Sequence, residues 1–251
     1  ISPMTPTGSS TSHSGQDIKG LQLFIADLRA LQNSKQEQET KVNTEILTIM
    51  KQFQSNKSLN GYKKKKYICK LLYVYLTTNC SRSDDIKFAF PYMLQLMKSK
   101  EYSEKFIGYF SCQLFLPVFA KIDDKHNDLF PSMLQNVIND LSSDNEEFVI
   151  LAMNLIASGC SFFHNANDVN ECMEKVFQQL RSPTASDLVK QRASLTFAAM
   201  LRSNPGYLSS MDLRKINIWV QRIIGLIDNK DILLSTLPLI KEFMRTIGSS
   251  Y

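Results

Sequence analysis

The sequence predicts an all-α protein, a right-handed α-solenoid built from HEAT/armadillo-like helix pairs. Three observations carry this reading. Nine glycines and eight prolines in 251 residues are too few for a chain that must turn about every ten residues, as an all-β fold does. Apolar residues recur at three- and four-residue spacing, the period of one face of an α-helix. In the second half and more of the chain, strongly apolar helices recur every forty-odd residues, each behind a less apolar one, which is the period of a two-helix solenoid repeat.

Residues 1–19 (ISPMTPTGSSTSHSGQDIK) are rich in Ser, Thr, Pro and Gly with little apolar content, and read as a disordered tail ahead of a folded segment 20–251. The tail has no apolar h-region and so does not read as a secretory signal. From Gly20, where order is expected to begin, Leu21, Phe24, Ile25, Leu28 and Leu31 make one helical stripe. Val42, Ile46, Ile49, Met50 and Phe53 make the next. Ser34 followed three residues later by Glu37 is a capping-box start for that second helix. After the polar loop SNKSLNGY, a third helix is expected from about Tyr62 to Thr78, with Ile68, Leu71, Leu72 and Tyr75 turned inward.

The repeat then takes over. YSEKFIGYFSCQLFLP, DNEEFVILAMNLIASG, SDLVKQRASLTFAAML and NKDILLSTLPLIKEFM align on Phe106, Phe148, Val189 and Ile232, at separations of 42, 41 and 43. Before them come IKFAFPYMLQLMK, NDLFPSMLQNVINDL, VNECMEKVFQQL and LRKINIWVQRIIGLI, with Trp219 on the apolar stripe of the last. One such pair cannot bury both of its apolar faces, so stacking has to supply the core. The final GSSY follows an apolar helix with no polar capping repeat, and the solenoid is expected to continue past it.

Composition excludes several classes. With 43% apolar residues the chain is not disordered as a whole. Its longest apolar runs, such as FVILAMNLIA, fall short of the roughly 18–20 residues of a membrane span, so it reads as soluble or peripheral. Cys69, Cys80, Cys112, Cys160 and Cys172 are odd in number, widely spaced and set mostly in apolar stretches, as buried free thiols are. His13, His126 and His164 are scattered, so no zinc site is expected. No dinucleotide fingerprint, P-loop or nucleophile elbow occurs. The acidic groups Asp123, Asp124 and Asp128, and Glu146 with Glu147, sit where helices begin and suit the helix dipole. An enzyme is disfavoured and no cofactor is implied.

Charge is the informative feature. The formal +5 equals five lysines within GYKKKKYICK, namely Lys63, Lys64, Lys65, Lys66 and Lys70. Without them 24 basic residues face 24 acidic ones. Lys63 to Lys66 fall in the first turn of the third helix, at its positive end, where each costs about 0.3–1 kcal/mol. A sequence that keeps cations there favours an anion ligand, because lysines and a helix N-terminus add in binding phosphate. On a helical wheel Lys63, Lys66, Tyr67 and Lys70 oppose the apolar face, so the cluster is expected to face solvent, bracketed by Tyr62 and Tyr67. Three readings stay open at this point: a plain solvated face, a nuclear-targeting or nucleic-acid contact, and an anionic or phosphoinositide membrane surface. The balance of charge elsewhere weighs against nucleic acid, which needs basic residues along a surface.

GLQLFIADLRA from Gly20, NGYKKKKYICKLLYVYL from Asn60 and EYSEKFIGYF from Glu101 resemble, in order and spacing, the start of the alpha-adaptins, large subunits of the plasma-membrane clathrin adaptor complex. The specific element is the tyrosine-bracketed lysine string. The resemblance covers residues 19 to about 112, with VKQRASL as a later patch, while CSFFHNANDVN diverges. It implies an α-solenoid trunk that acts as a scaffold in clathrin-mediated endocytosis. It implies a phosphatidylinositol 4,5-bisphosphate site at Lys19, Tyr62, Lys64, Lys65, Lys66, Tyr67 and Lys70. One family lysine falls on Gln52, beside Lys51, and Gln52 is left out of that site; Lys63 stands where the family has a small polar residue. Arg29 is implied to face the acidic position of dileucine-type cargo. The implied partners are a small sigma-type subunit, a beta-type large subunit, a mu-type medium subunit and, through the complex, clathrin. The implied location is cytoplasmic, peripheral on the inner face of the plasma membrane in clathrin-coated pits.

Overall fold

A computed structural model describes residues 18–55, 59–78, 81–119, 129–163 and 165–248. Residues 1–17 of the expected tail, the three histidines, Cys80 and the group Asp123, Asp124 and Asp128 lie outside the described residues. Among the described residues there are twelve α-helices and no strand. They are α1 (Lys19–Ala30), α2 (Lys35–Ser55), α3 (Gly61–Thr77), α4 (Ser83–Ile86), α5 (Phe90–Met97), α6 (Tyr102–Phe119), α7 (Leu129–Leu141), α8 (Glu146–Gly159), α9 (Ala166–Arg181), α10 (Asp187–Ser203), α11 (Leu213–Gly225) and α12 (Lys230–Gly248).

Two layers result. Helices α3, α6, α8, α10 and α12 pack each on the next, and α5, α7 and α9 pack in succession behind them. Hydrogen bonds step from repeat to repeat at nearly constant offset. Gln179 Nε2 donates to the Leu141 carbonyl at 2.9 Å, Arg222 Nε to the Leu180 carbonyl at 3.0 Å, and Thr196 Oγ1 to the Met153 carbonyl at 3.3 Å, linking residues 38 to 43 apart. The stacked helix pairs of a solenoid are therefore present. The core is mainly apolar, with Trp219 fully enclosed between Phe177 and Phe197 at ring separations of 4.6 and 5.0 Å.

Local chemistry explains the ends. α1 starts at Lys19, one residue before the expected Gly20. The Ser34 cap is present as a 3.4 Å bond from the Glu37 N–H. Asn145, Asn165, Ser186 and Asp212 each accept a hydrogen bond from the first turn of α8, α9, α10 and α11.

Two expectations are corrected. The segment IKFAFPYMLQLMK is not one helix: it begins in α4, passes through a 3₁₀ turn at Lys87–Ala89, and becomes α5 with Pro91 in its first turn. Proline lacks the N–H an unbroken helix would need and restricts the residue before it, so the chain restarts there. The apolar register also slips by one at two helices. The inward positions are Lys105, Val149, Val189 and Ile232, whereas Phe148 is half-buried and Phe106 is 41% exposed, stacked on Phe110 at 6.1 Å.

Lys105 takes the inward place because its charge is answered. Its Nζ donates to both carboxylate oxygens of Asp140 on α7, at 2.8 and 2.6 Å, and lies 4.5 Å from the centre of the Phe148 ring. The Tyr109 hydroxyl donates to the same carboxylate at 2.7 Å.

The α5–α6 pair closes on Gly108, where a Cβ would collide with the backbone of Leu96 and Met97. Backbone cannot swing aside as a side-chain tip can. Gly108→Ala is expected to destabilise the fold by about 1–3 kcal/mol, read as a lower denaturant midpoint at unchanged slope.

Candidate functional site: a three-helix junction lined with lysines

The basic string is brought against two other helices. α3 presents Ile68, Leu71, Leu72, Val74 and Tyr75 to the core, which fixes its roll. The Phe53 ring of α2 meets the Tyr67 ring edge-on at 5.8 Å, so the end of α2 lies beside the start of α3. Lys51 on that end is exposed, and Gln52 next to it is half-buried. On the other side, the start of α1 packs on Lys66: a Cβ on Gly20 would lie 2.9 Å from Lys66 Cδ. Lys19, adjacent to Gly20 and exposed, therefore joins the cluster across a gap of more than forty residues in sequence. The structure brings Lys19, Lys66, Tyr67 and Lys70 to one junction of three helices, while Tyr62, Lys64 and Lys65 adjoin it on the first turn of α3, Lys65 turned toward α6.

The start of α3 carries no acidic residue in its first turn. Asn60 caps it, its Oδ1 accepting from the Lys63 N–H at 2.9 Å. Each bracketing tyrosine lies under a lysine, with Lys65 Nζ 5.8 Å from the Tyr62 ring centre and Lys66 Nζ 5.2 Å from that of Tyr67. The rings hold the ammonium groups at this end of the helix. Tyr62 is itself 39% exposed, which leaves ring surface open to a ligand.

The cluster is not uniformly solvent-facing, which corrects the helical-wheel expectation. Lys63 is exposed, and Lys64 and Lys66 are half-buried. Lys65 is only 8% exposed and donates to Ser103 Oγ of α6 at 3.0 Å. Lys70 is paired with Glu45 of α2 at 2.6 Å and lies 5.3 Å from the Phe24 ring centre of α1. The reason is geometric: Lys65 precedes Ile68 by three and Leu72 by seven, so it shares their stripe. A second carboxylate, Glu104 of α6, is held by Ser99 Oγ at 2.8 Å and packs directly over Gly61, beside the positive end of α3.

Sequence reasoning missed Asn60, Glu45, Ser103 and Glu104. Asn60 was findable, since an asparagine three residues before the Lys63 N–H is an ordinary helix cap. The others lie on separate helices, and no local signal marks them.

Arg29 sits apart. It is exposed in the last turn of α1, ten residues or about 15 Å of helix from Lys19. It edges a cleft of about 610 Å³ between α1, α2 and the end of α3, with Lys35, Arg82, Val42 and Tyr73 among its walls. Arg82 is engaged by Asp85 at 2.7 Å and by Asn43. The two ends of α1 thus border two distinct basic regions.

Three of the described cysteines are kept in the thiol form by burial. Burial pushes Cys69 up to about 11, although nearby Lys65 pulls the other way. Burial likewise pushes Cys172 up to about 12 and raises Cys112 still further. Among the described residues no three His, Cys, Asp or Glu side chains gather as a metal site requires, and no helix is long and apolar enough to cross a membrane.

Helix pairs stacked at a spacing near forty residues, with lysines gathered at one end, define a helical-repeat scaffold. The chain belongs to the adaptin N-terminal region family, whose profile ("Adaptin N terminal region") matches residues 38–244. It is 37% identical to the AP-2 complex subunit alpha of Saccharomyces cerevisiae, in an alignment covering 98% of this chain and 24% of the relative. It is 29% identical to the AP-2 complex subunit alpha-2 of Dictyostelium discoideum, covering 90% of this chain and 21% of that one. With the AP-2 complex subunit alpha of Schizosaccharomyces pombe it shares 27% identity over 87% of this chain and 22% of the relative. The chain thus spans about a quarter of the length of the curated relatives it matches.

Proposed function

We propose that this chain is the membrane-docking portion of an alpha-type clathrin adaptor large subunit. In this reading it is a non-catalytic scaffold in vesicle-mediated protein transport, assembled with sigma-, beta- and mu-type subunits and, through them, with clathrin. It docks peripherally on the cytoplasmic face of the plasma membrane by binding phosphatidylinositol 4,5-bisphosphate, while Arg29 meets the acidic position of dileucine-type cargo.

The observation that carries the reading is the convergence of Lys19 with Lys64 and Lys66 at the positive end of α3, beside the exposed ring of Tyr62. Phosphate is the chemistry this end suits, since ammonium groups and the helix terminus act on it together. The similarity to AP-2 alpha subunits supports a membrane lipid as the source of that phosphate.

Co-sedimentation of the complete subunit, purified as it assembles in the cell, tests this with phosphatidylcholine vesicles with and without the bisphosphorylated lipid. Binding is expected only with that lipid and should weaken as salt rises. Equal binding to both vesicles, or to neither, contradicts the reading, and tighter binding to duplex nucleic acid with a steep salt slope favours a phosphate-backbone partner instead.

A further inference from the structure

Lys70 is held differently from Lys64 and Lys66. Its ammonium reaches from α3 to Glu45 of α2, 2.6 Å away, while the Phe24 ring of α1 closes a third side. The two side chains are only 12% and 20% exposed, so Lys70 in this arrangement points into the junction. Glu45 sits in the middle of α2, where neither a cap nor the helix dipole calls for an acid. Its charge is also felt by Lys41, whose own carboxylate partner is Asp27 at 2.8 Å. Glu45 is therefore spent on Lys70.

We propose that Glu45 is a resident counter-anion of the basic site: it holds Lys70 in the helix junction, and an incoming phosphate group gains Lys70 only by displacing that carboxylate. The inference rests on the phosphoinositide reading above and concerns what sets its strength. The lysine stem is a flexible four-carbon chain, so its ammonium can swing between two acceptors without moving the helix. A phosphate monoester, with up to two charges and three acceptor oxygens, outcompetes one carboxylate. Glu45 thus lowers affinity for every anion and leaves the polyphosphorylated ones able to bind.

The test is a cycle of E45Q, K70Q and the double variant in the complete subunit. Glutamine keeps hydrogen-bonding capacity at both positions and removes charge. Vesicles with and without phosphatidylinositol 4,5-bisphosphate are run beside soluble inositol hexakisphosphate, which separates a lipid headgroup from a free polyphosphate, and melting midpoints confirm that each variant is folded. E45Q is expected to bind the bisphosphate vesicles about fivefold more tightly, the worth of one lysine, the freed Lys70, near an anionic surface. K70Q is expected to bind more weakly, and adding E45Q to it should change affinity by less than about twofold.

Unchanged or weaker binding by folded E45Q, while the parent binds, overturns the inference and makes the pair a structural brace; the lipid reading then stands. A gain by E45Q that persists undiminished beside K70Q also overturns it, since Glu45 would then act as a general repulsive charge. If the parent binds only the soluble polyphosphate, the lipid source is wrong and the cycle on that probe still decides the role of Glu45. If the parent binds neither, the phosphate reading and this inference fall together.

Discussion

Asp140→Ala is expected to destabilise the fold by about 3–5 kcal/mol, the largest loss foreseen for a single polar residue here. Lys105 is buried, its side chain 5% exposed, and both of its short hydrogen bonds end on Asp140. Removing the carboxylate strands an ammonium group in the α6–α7 interface and also takes the acceptor from Tyr109. The Phe148 ring that remains beside Lys105 compensates by only about 0.5–2 kcal/mol. The pair Lys105→Met with Asp140→Leu should recover most of the loss, because charge and counter-charge leave together and the apolar surroundings are filled. Urea unfolding of parent, single and double variants checks this, and a single variant within about 1 kcal/mol of the parent would show that the pair is solvated in practice.

Joint replacement of Lys19, Lys64 and Lys66 by alanine is expected to lower affinity for vesicles carrying phosphatidylinositol 4,5-bisphosphate about a hundredfold. Each lysine near an anionic surface is worth about 1 kcal/mol, and three act on the same ligand. Lys65 is omitted because its bond to Ser103 makes its loss partly a stability effect. The same number of charges removed at Lys190, Lys230 and Lys241, far along the stack on α10 and α12, should change affinity by less than about threefold at physiological salt, where distant charges are screened. Comparable losses in the two variants would mean that overall charge, and no defined site, drives binding.

Much of the fold was legible in the sequence because solenoid order is written locally. The separations between successive apolar helices gave the repeat, and the cap Ser34 was read at its position. The one-residue slip at Phe106 had a cause that periodicity does not contain. An inward lysine looks like a solvated one until Asp140, 35 residues on, is known to face it.

The site divides along the same line. The lysine run at the wrong end of a helix was visible as a local conflict between charge and dipole, and such conflicts tend to mark function. The inward turn of Lys65 was missed when the cluster was expected to face solvent, although its spacing to Ile68 and Leu72 places it on their stripe. The arrival of Lys19 depends on Gly20 packing against Lys66, and the restraint on Lys70 depends on Glu45, 25 residues away on another helix. Both are products of the three-helix junction and have no signature in the string GYKKKKYICK.

The surface proposed to meet the bisphosphorylated lipid is the start of α3, joined by the start of α1. Amine-reactive labelling of the complete subunit, read by mass spectrometry with and without phosphatidylinositol 4,5-bisphosphate vesicles, tests it residue by residue. Lys19, Lys64 and Lys66 are expected to be protected together by these vesicles, while Lys190, Lys230 and Lys241 label at unchanged rates. Protection confined to other lysines, or labelling of Lys19, Lys64 and Lys66 that is indifferent to the lipid, would contradict it.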